Sequence, residues 1–188
     1  MQAARGASLT GGDDETSTSE LQEHPRRFSW FLVVAGIVYV IDQVTKVWAV
    51  SSLADRGPIT VIPGVLDLRF LRNPGAAFGL ATSMTWLLSV VACVVVVAVV
   101  VMASRLRNRT WAVALGLLLG GALGNLTDRL VRQPGVMRGH VVDFLELPNW
   151  PVFNIADTAL TLAAVLIIVQ SLRGIGTDGR RGAEKPQA

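Results

Sequence analysis

The chain has 188 residues, of which 51% are hydrophobic and 16% charged, and a mean hydropathy of +0.48. A water-soluble domain carries about 25% charged residues, and the shortfall here comes from long stretches with no charge at all, which is a membrane pattern. The net charge of +3 excludes nothing by itself. The basic residues, however, stand in short clusters between apolar runs, without the stripe or interleaved aromatics of a nucleic-acid binder, so no nucleic-acid partner is expected.

In chain order, residues 1–25 are polar and rich in Ser, Thr, Gly, Asp and Glu, too poor in apolar groups to bury a core, and are expected to form a disordered cytoplasmic tail. The first apolar run, 28–50, is followed by no small-residue cleavage site and reads as a retained helix. Segment 51–83 contains Val65-Leu66-Asp67-Leu68-Arg69-Phe70, whose partial alternation between Gly- and Pro-containing flanks predicts a short strand or hairpin at the membrane surface. Further spans are expected at 84–103, 111–131 and 153–172. Each is long enough, at ~1.5 Å per residue, to cross about 30 Å of hydrocarbon. Cys93, the single cysteine, lies within the second apolar run and offers neither a disulfide nor a metal site. Residues 132–151 form a second short connection, and 173–188 a flexible basic tail.

The fold class expected is therefore an all-α integral membrane protein: four transmembrane helices in one domain, 26–172, with a small extracytoplasmic β element. Arg26 and Arg27, the loop arginines Arg105, Arg107 and Arg109, and the tail residues Arg173, Arg180, Arg181 and Lys185 fall on one side of four alternating spans. The positive-inside rule makes that side, with both termini, cytoplasmic. Trp48, Trp86 and Trp150 fall at the opposite interface, where indole rings are favoured.

Charged groups inside a span are costly and mark function. Asp42 and Lys46 lie four apart in the outer third of the first span. Asn125, Asp128 and Arg129 end the third, Asn154 and Asp157 begin the fourth, and Asn73 and Asp143 lie in the outer segments. Alternating span direction brings all of them to one level, where they can share a pocket at the extracytoplasmic face. The four-residue spacing of Gly116, Gly120 and Gly124 predicts a close-packing face that holds the third span against a neighbour.

The chemistry available to such a set is limited. His140 is the one histidine within reach and no serine makes a convincing partner for it, while a zinc site needs three or four ligands; no metal or other cofactor is expected. Two close aspartates sharing a proton can activate water and polarise a peptide carbonyl. Asp42, Asp128, Asp143 and Asp157 all qualify by position. Arg129 beside Asp128 and Lys46 four residues from Asp42 suit those two to structural ion pairs, whereas Asp143 and Asp157 lack an adjacent cation.

Five stretches together resemble the bacterial lipoprotein signal peptidases (signal peptidase II). In order they are Asp42-Gln43-Val44-Thr45-Lys46, Asn73-Pro74-Gly75-Ala76-Ala77-Phe78-Gly79, Gly120 through Arg129, Val141-Val142-Asp143-Phe144 and Phe153-Asn154-Ile155-Ala156-Asp157. The resemblance implies an aspartic endopeptidase of the bacterial cytoplasmic membrane that removes signal peptides from diacylglyceryl-modified prolipoproteins. Asp143 and Asp157 would be catalytic, and Asp42, Lys46, Asn73, Asn125, Asp128, Arg129 and Asn154 would bind substrate or support the site. It also implies membrane lipids as surroundings and globomycin-type cyclic peptides as inhibitors. In this chain 131–139 is longer than the family pattern and 143–153 shorter. A transporter or proton relay would instead spread polar residues through the membrane depth, and a scaffold gives no reason for two aspartates in apolar company.

Overall fold

The computed structural model describes residues 27–75 and 84–181. The expected disordered tail, residues 76–79 of the second motif and residues 182–188 lie outside them. The elements run α1 (Phe28–Leu53), β1 (Ile59–Ile62), β2 (Leu66–Asn73), α2 (Thr85–Ala103), α3 (Arg109–Val131), β3 (Val141–Glu146) and α4 (Ile155–Leu172). All four helices are long and apolar enough to cross a membrane, and the protein is a multi-pass membrane protein.

Helix α3 is the core of the bundle. It is the most buried of the four, and α1, α2 and α4 all pack against it. The outer helices turn large apolar side chains away from the protein: Val33, Val40, Val44 and Val47 on α1, Val94, Val97 and Val101 on α2, and Leu162, Val165 and Ile168 on α4. Such a surface is stable against hydrocarbon and unstable in water. The glycine face behaves as its spacing predicts, and serves two neighbours. A Cβ on Gly116 would stand 2.9 Å from the Phe31 carbonyl oxygen and one on Gly120 2.7 Å from that of Ala35, both on α1, while one on Gly121 would stand 2.7 Å from the Ala156 carbonyl oxygen at the start of α4.

A three-stranded antiparallel sheet, in the order β1-β2-β3, closes one end of the bundle. The predicted hairpin corresponds to β1 and β2, turning at Gly64 with φ +74°. The third strand is a difference from the plain connection expected over 132–151. Its alternation is masked because Val141, Val142, Asp143 and Phe144 are all buried. Val142 and Phe144 pack with Ala49 and Leu53, which also extends α1 to Leu53, past the expected end at Val50. Phe153 is bridged to Leu145 by paired backbone hydrogen bonds of 2.9 Å, so α4 begins at Ile155 rather than at Phe153.

The tail expected to be loose from Arg173 is fixed as far as Arg181. The Thr177 carbonyl accepts from Arg107 N at 3.0 Å and Asn108 N at 3.3 Å, Ile175 pairs with Arg181, and the Trp111 indole donates to the Ile175 carbonyl at 2.8 Å. Segment 173–181 thus docks on the α2–α3 connection at the end of the bundle far from the sheet.

Because the atom that a Gly120 Cβ would meet is backbone, only helix displacement can relieve the clash. Gly120→Ala is expected to destabilise the protein by about 1–3 kcal/mol, read as a lowered thermal midpoint in detergent. Gly36→Ala, where nothing stands within 4 Å of the added carbon, is expected to leave the midpoint in place.

Candidate active site

The polar residues singled out in the sequence gather at the sheet end in two tiers. Asn73, Asn125, Arg129, Asp143 and Asp157 line a cavity of about 350 Å³, together with Gly75, Val141, Leu160, Thr161 and the segment 150–153. Asp42, Lys46, Asp128 and Asn154, also expected in that pocket, do not line it. They lie behind it, fully buried.

The rear tier centres on Lys46. Its ammonium contacts Asp42 Oδ2 at 2.9 Å, Asp128 Oδ2 at 3.0 Å and Asn125 Oδ1 at 2.8 Å, which occupies all three of its donors. Asp42 Oδ1 accepts from Ala156 N at 2.9 Å and Asp128 Oδ2 from Val142 N at 3.2 Å. The second cation on Asp128 differs from the one expected: Arg132, one helical turn on, pairs with Asp128 Oδ1. Arg129 turns into the cavity, where its Nη2 donates to the Gly75 carbonyl at 3.1 Å and its buried Nη1 has no hydrogen-bond partner among the described residues. The spacing of Asp128 and Arg132, i and i+4 on a helix, was the signal for the pair.

Two asparagines connect this tier to the cavity carboxylates. Asn125 receives Lys46 on Oδ1 and donates through Nδ2 to Asp157 Oδ1 at 2.8 Å. Asn154 donates through Nδ2 to Asp143 Oδ1 at 2.6 Å and to Asn125 Oδ1 at 3.2 Å. Asn154 is also the N-cap of α4: its Oδ1 accepts from Asp157 N at 2.9 Å, and its own backbone N–H donates to Asp157 Oδ2 at 3.2 Å. This reciprocal capping box was legible as Asn-x-x-Asp and fixes the Asp157 side chain in the first turn. On the opposite wall, Asn73 pairs in register with Val141, diagonal to Asp143 on the same sheet face. It donates to Asp143 Oδ2 at 2.9 Å.

Asp143 is 1% exposed, and its pKa is raised to about 7. Burial is the main cause and the nearby Asp157 carboxylate adds to it, while the Asn73 and Asn154 amides and the Lys46 charge oppose it. His140 makes a backbone hydrogen bond to the Gln133 carbonyl and does not line the cavity. Among the described residues no group of three His, Cys, Asp or Glu side chains is placed to hold a metal ion.

Four spans and a cavity walled by two carboxylates define an integral-membrane enzyme, and solved structures of that kind match the whole fold. Two described as bacterial membrane enzymes determined by the in meso method give TM-scores of 0.68 and 0.70 at 30% identity, covering 83% and 80% of this chain and 95% and 97% of theirs. A family model described as signal peptidase (SPase) II matches residues 34–173. The lipoprotein signal peptidase of Rhodococcus jostii (strain RHA1) is 49% identical over 177 residues, 92% of this chain and 89% of the relative. That of Mycobacterium avium (strain 104) is 47% identical over 167 residues, 88% and 92% of the two chains, and that of Mycobacterium tuberculosis (strain ATCC 25618 / H37Rv) is 46% identical over 162, 85% and 80%. The chain belongs to the signal peptidase II family and is a membrane protease.

Replacing Lys46 with Met leaves two buried carboxylates and one asparagine oxygen without their cation. Loss of one partner from a buried ion cluster costs about 3–5 kcal/mol, so K46M is expected to unfold at a markedly lower temperature in detergent than Arg69→Met, which breaks only the exposed pair with Glu146.

Proposed function

We propose that the protein removes signal peptides from diacylglyceryl-modified prolipoproteins by aspartic chemistry, with Asp143 and Asp157 as the catalytic dyad. The observation that carries this reading is the convergence of two carboxylates, the buried Asp143 of β3 and the half-buried Asp157 of the first turn of α4, on one cavity through a shared pair of asparagines. Membership of the family and the names of the relatives supply the substrate class.

In this mechanism the dyad holds one proton between two carboxylates. The ionised member takes a proton from water as the water oxygen attacks the scissile carbonyl carbon, and the protonated member gives its proton to the carbonyl oxygen. As the resulting gem-diol collapses, one of its hydroxyls returns its proton to the ionised carboxylate, the C–N bond breaks, and the leaving nitrogen takes the proton of the other carboxyl, so that the dyad regains its starting state. No covalent intermediate forms. Asn73 and Arg129, facing the cavity, are suited to position the peptide, while Asp42, Lys46, Asn125, Asp128 and Asn154 hold the dyad in place.

Leu160 and Thr161 carry the cavity wall down α4 toward the bilayer, which supports lateral entry of a lipid-bearing substrate whose acyl chains stay among the lipids. The arginine clusters at the far end favour a cytoplasmic location for that end and both termini, with the cavity at the extracytoplasmic face. A globomycin-type cyclic peptide would compete for this same cavity.

The test is cleavage of a diacylglyceryl-modified prolipoprotein by the purified protein in detergent. Asp143→Asn and Asp157→Asn are each expected to lower turnover by about 10³-fold or more while the variants stay folded, and a strong chelator is expected to leave the wild type active. Full activity in either variant would sink the dyad.

The pH dependence has a definite sign. The acid role requires the proton, and Asp143 holds it up to about pH 7, so cleavage is expected to decline as pH rises past about 7. Stability follows the same direction. An aspartate raised from 3.8 to about 7 contributes fully below the lower value, and its contribution is lost as pH climbs through the upper one. A pH series of unfolding midpoints is expected to lose that slope in Asp143→Asn.

A further inference from the structure

The first turn of α2 bears on the cavity without lining it. Thr85, its first residue, is buried and donates its hydroxyl to the Pro74 carbonyl at 2.5 Å. That carbonyl belongs to the peptide unit joining Pro74 to Gly75, whose N–H donates to Asn73 Oδ1 at 2.9 Å. Asn73 in turn presents its Nδ2 to Asp143 Oδ2 at 2.9 Å. Proline fixes its own φ, so the orientation of this peptide plane rests on ψ of Pro74, which the Thr85 hydroxyl pins. The plane then decides which end of the Asn73 amide faces Asp143: with Oδ1 taken by Gly75 N, Nδ2 is the end left for the carboxylate. The Gly75 carbonyl, the next acceptor along, takes Arg129 Nη2 at 3.1 Å.

We propose that Thr85 is a positioning residue for the reaction, a hydroxyl on α2 that sets the Asn73 amide on Asp143 through the Pro74–Gly75 peptide plane. This rests on the reading of Asp143 as a member of the dyad. Burying a hydroxyl in the most apolar of the four spans costs free energy unless it is hydrogen-bonded, and the bond formed here goes to the one carbonyl flanked by both cavity-lining residues of that segment. Valine keeps the shape of threonine and removes the donor; serine keeps the donor.

The expected signature separates positioning from mere stability. The charged groups facing Asp143 are Asp157 from α4, Lys46 from α1 and Arg129 from α3, and Thr85→Val touches none of them. It does loosen the Asn73 amide, whose hydrogen bond lowers the Asp143 pKa. Thr85→Val is therefore expected to reduce kcat about tenfold with KM little changed, and to move the alkaline limb of the activity profile to higher pH. Thr85→Ser is expected to restore both. Combined with Asn73→Ala, Thr85→Val should add nothing further, because the two act in one chain. Ser89→Ala removes the other buried hydroxyl of α2, which lies 2.8 Å from the Met137 carbonyl and 3.1 Å from the Thr85 backbone carbonyl but meets neither the Thr85 hydroxyl nor the Pro74–Gly75 peptide, and is expected to leave the limb where it is.

The deciding measurement is titration of the Asp143 side-chain carbon by ¹³C NMR of labelled protein in detergent, which does not depend on turnover. An upward shift in Thr85→Val, reversed in Thr85→Ser, supports the assignment. An unchanged titration in folded Thr85→Val overturns it, even where Asp143→Asn is inactive and the dyad reading stands. Should Asp143→Asn retain activity, the dyad reading fails, and the same titration still judges Thr85. If Thr85→Val does not fold, Thr85→Ala takes its place under the same criterion.

Discussion

The rest of the structure depends on one buried ammonium. Lys46 is fully buried at the edge of a membrane helix, where an unpaired charge is not tolerated, and three acceptors from two helices meet it. The carboxylates that neutralise it spend their remaining lone pairs on backbone N–H groups of Ala156 and Val142. One cation thereby ties α1 to α3 and, through its two counter-ions, to the start of α4 and to β3. With Arg132 added, two positive and two negative groups balance at the rear of the cavity. The elements carrying Asp143 and Asp157 are thus held by the same cluster that neutralises Lys46.

Asparagine is the connector because its amide passes on geometry without adding charge. Once Lys46 occupies Asn125 Oδ1, the other end of that amide is a donor and has to face an acceptor, which is Asp157. Asn154 does the same for Asp143, and Asn73 does so from the sheet side. Among the described residues no salt bridge reaches Asp143 or Asp157. A cation placed directly on either carboxylate would fix its ionisation and remove the shared proton that the proposed chemistry uses. The amides hold both carboxylates in place without adding a charge that would fix their ionisation, as the proposed shared proton requires.

Much of this was legible in the sequence, for reasons that differ between elements. The four spans follow from apolar run length alone, and the clustering of polar residues at one end follows from alternating direction. The glycine spacing foretold close approach but not that Gly121 serves α4 while Gly116 and Gly120 serve α1. Strand β3 was hidden because all four of its first residues are buried, which erases the alternation that marks a strand. The division into a lining tier and a rear tier was also invisible, since Asp42 and Asp143 look alike as carboxylates near a span end. What separates them is the direction of the side chain, and that depends on helix rotation and strand register. The order of the tail at 173–181 is not legible in composition: Gly and Arg suggest a loose chain, whereas its anchors are backbone hydrogen bonds to the α2–α3 connection, which composition does not encode.

The placement of Asp157 shows how a carboxylate is tolerated at the membrane edge. The first turn of any helix has N–H groups with no intrahelical partner, and at the start of a membrane span these are costly to leave unmade. Asp157 reaches back to the cap residue's N–H with one oxygen and presents the other to Asn125, while Asp42 satisfies the N–H of Ala156. The carboxylates therefore meet a need of the helix start that apolar residues could not meet, and their desolvation is offset there as it would not be at mid-span. The far end of the bundle solves the same problem with a neutral cap: Asn108 accepts from Trp111 N at the start of α3 and from the buried Gln170, and no carboxylate is needed. A site built from carboxylates in this fold belongs where a span begins beside a buried cation, and the first turn of α4, behind which Lys46 sits, meets both conditions.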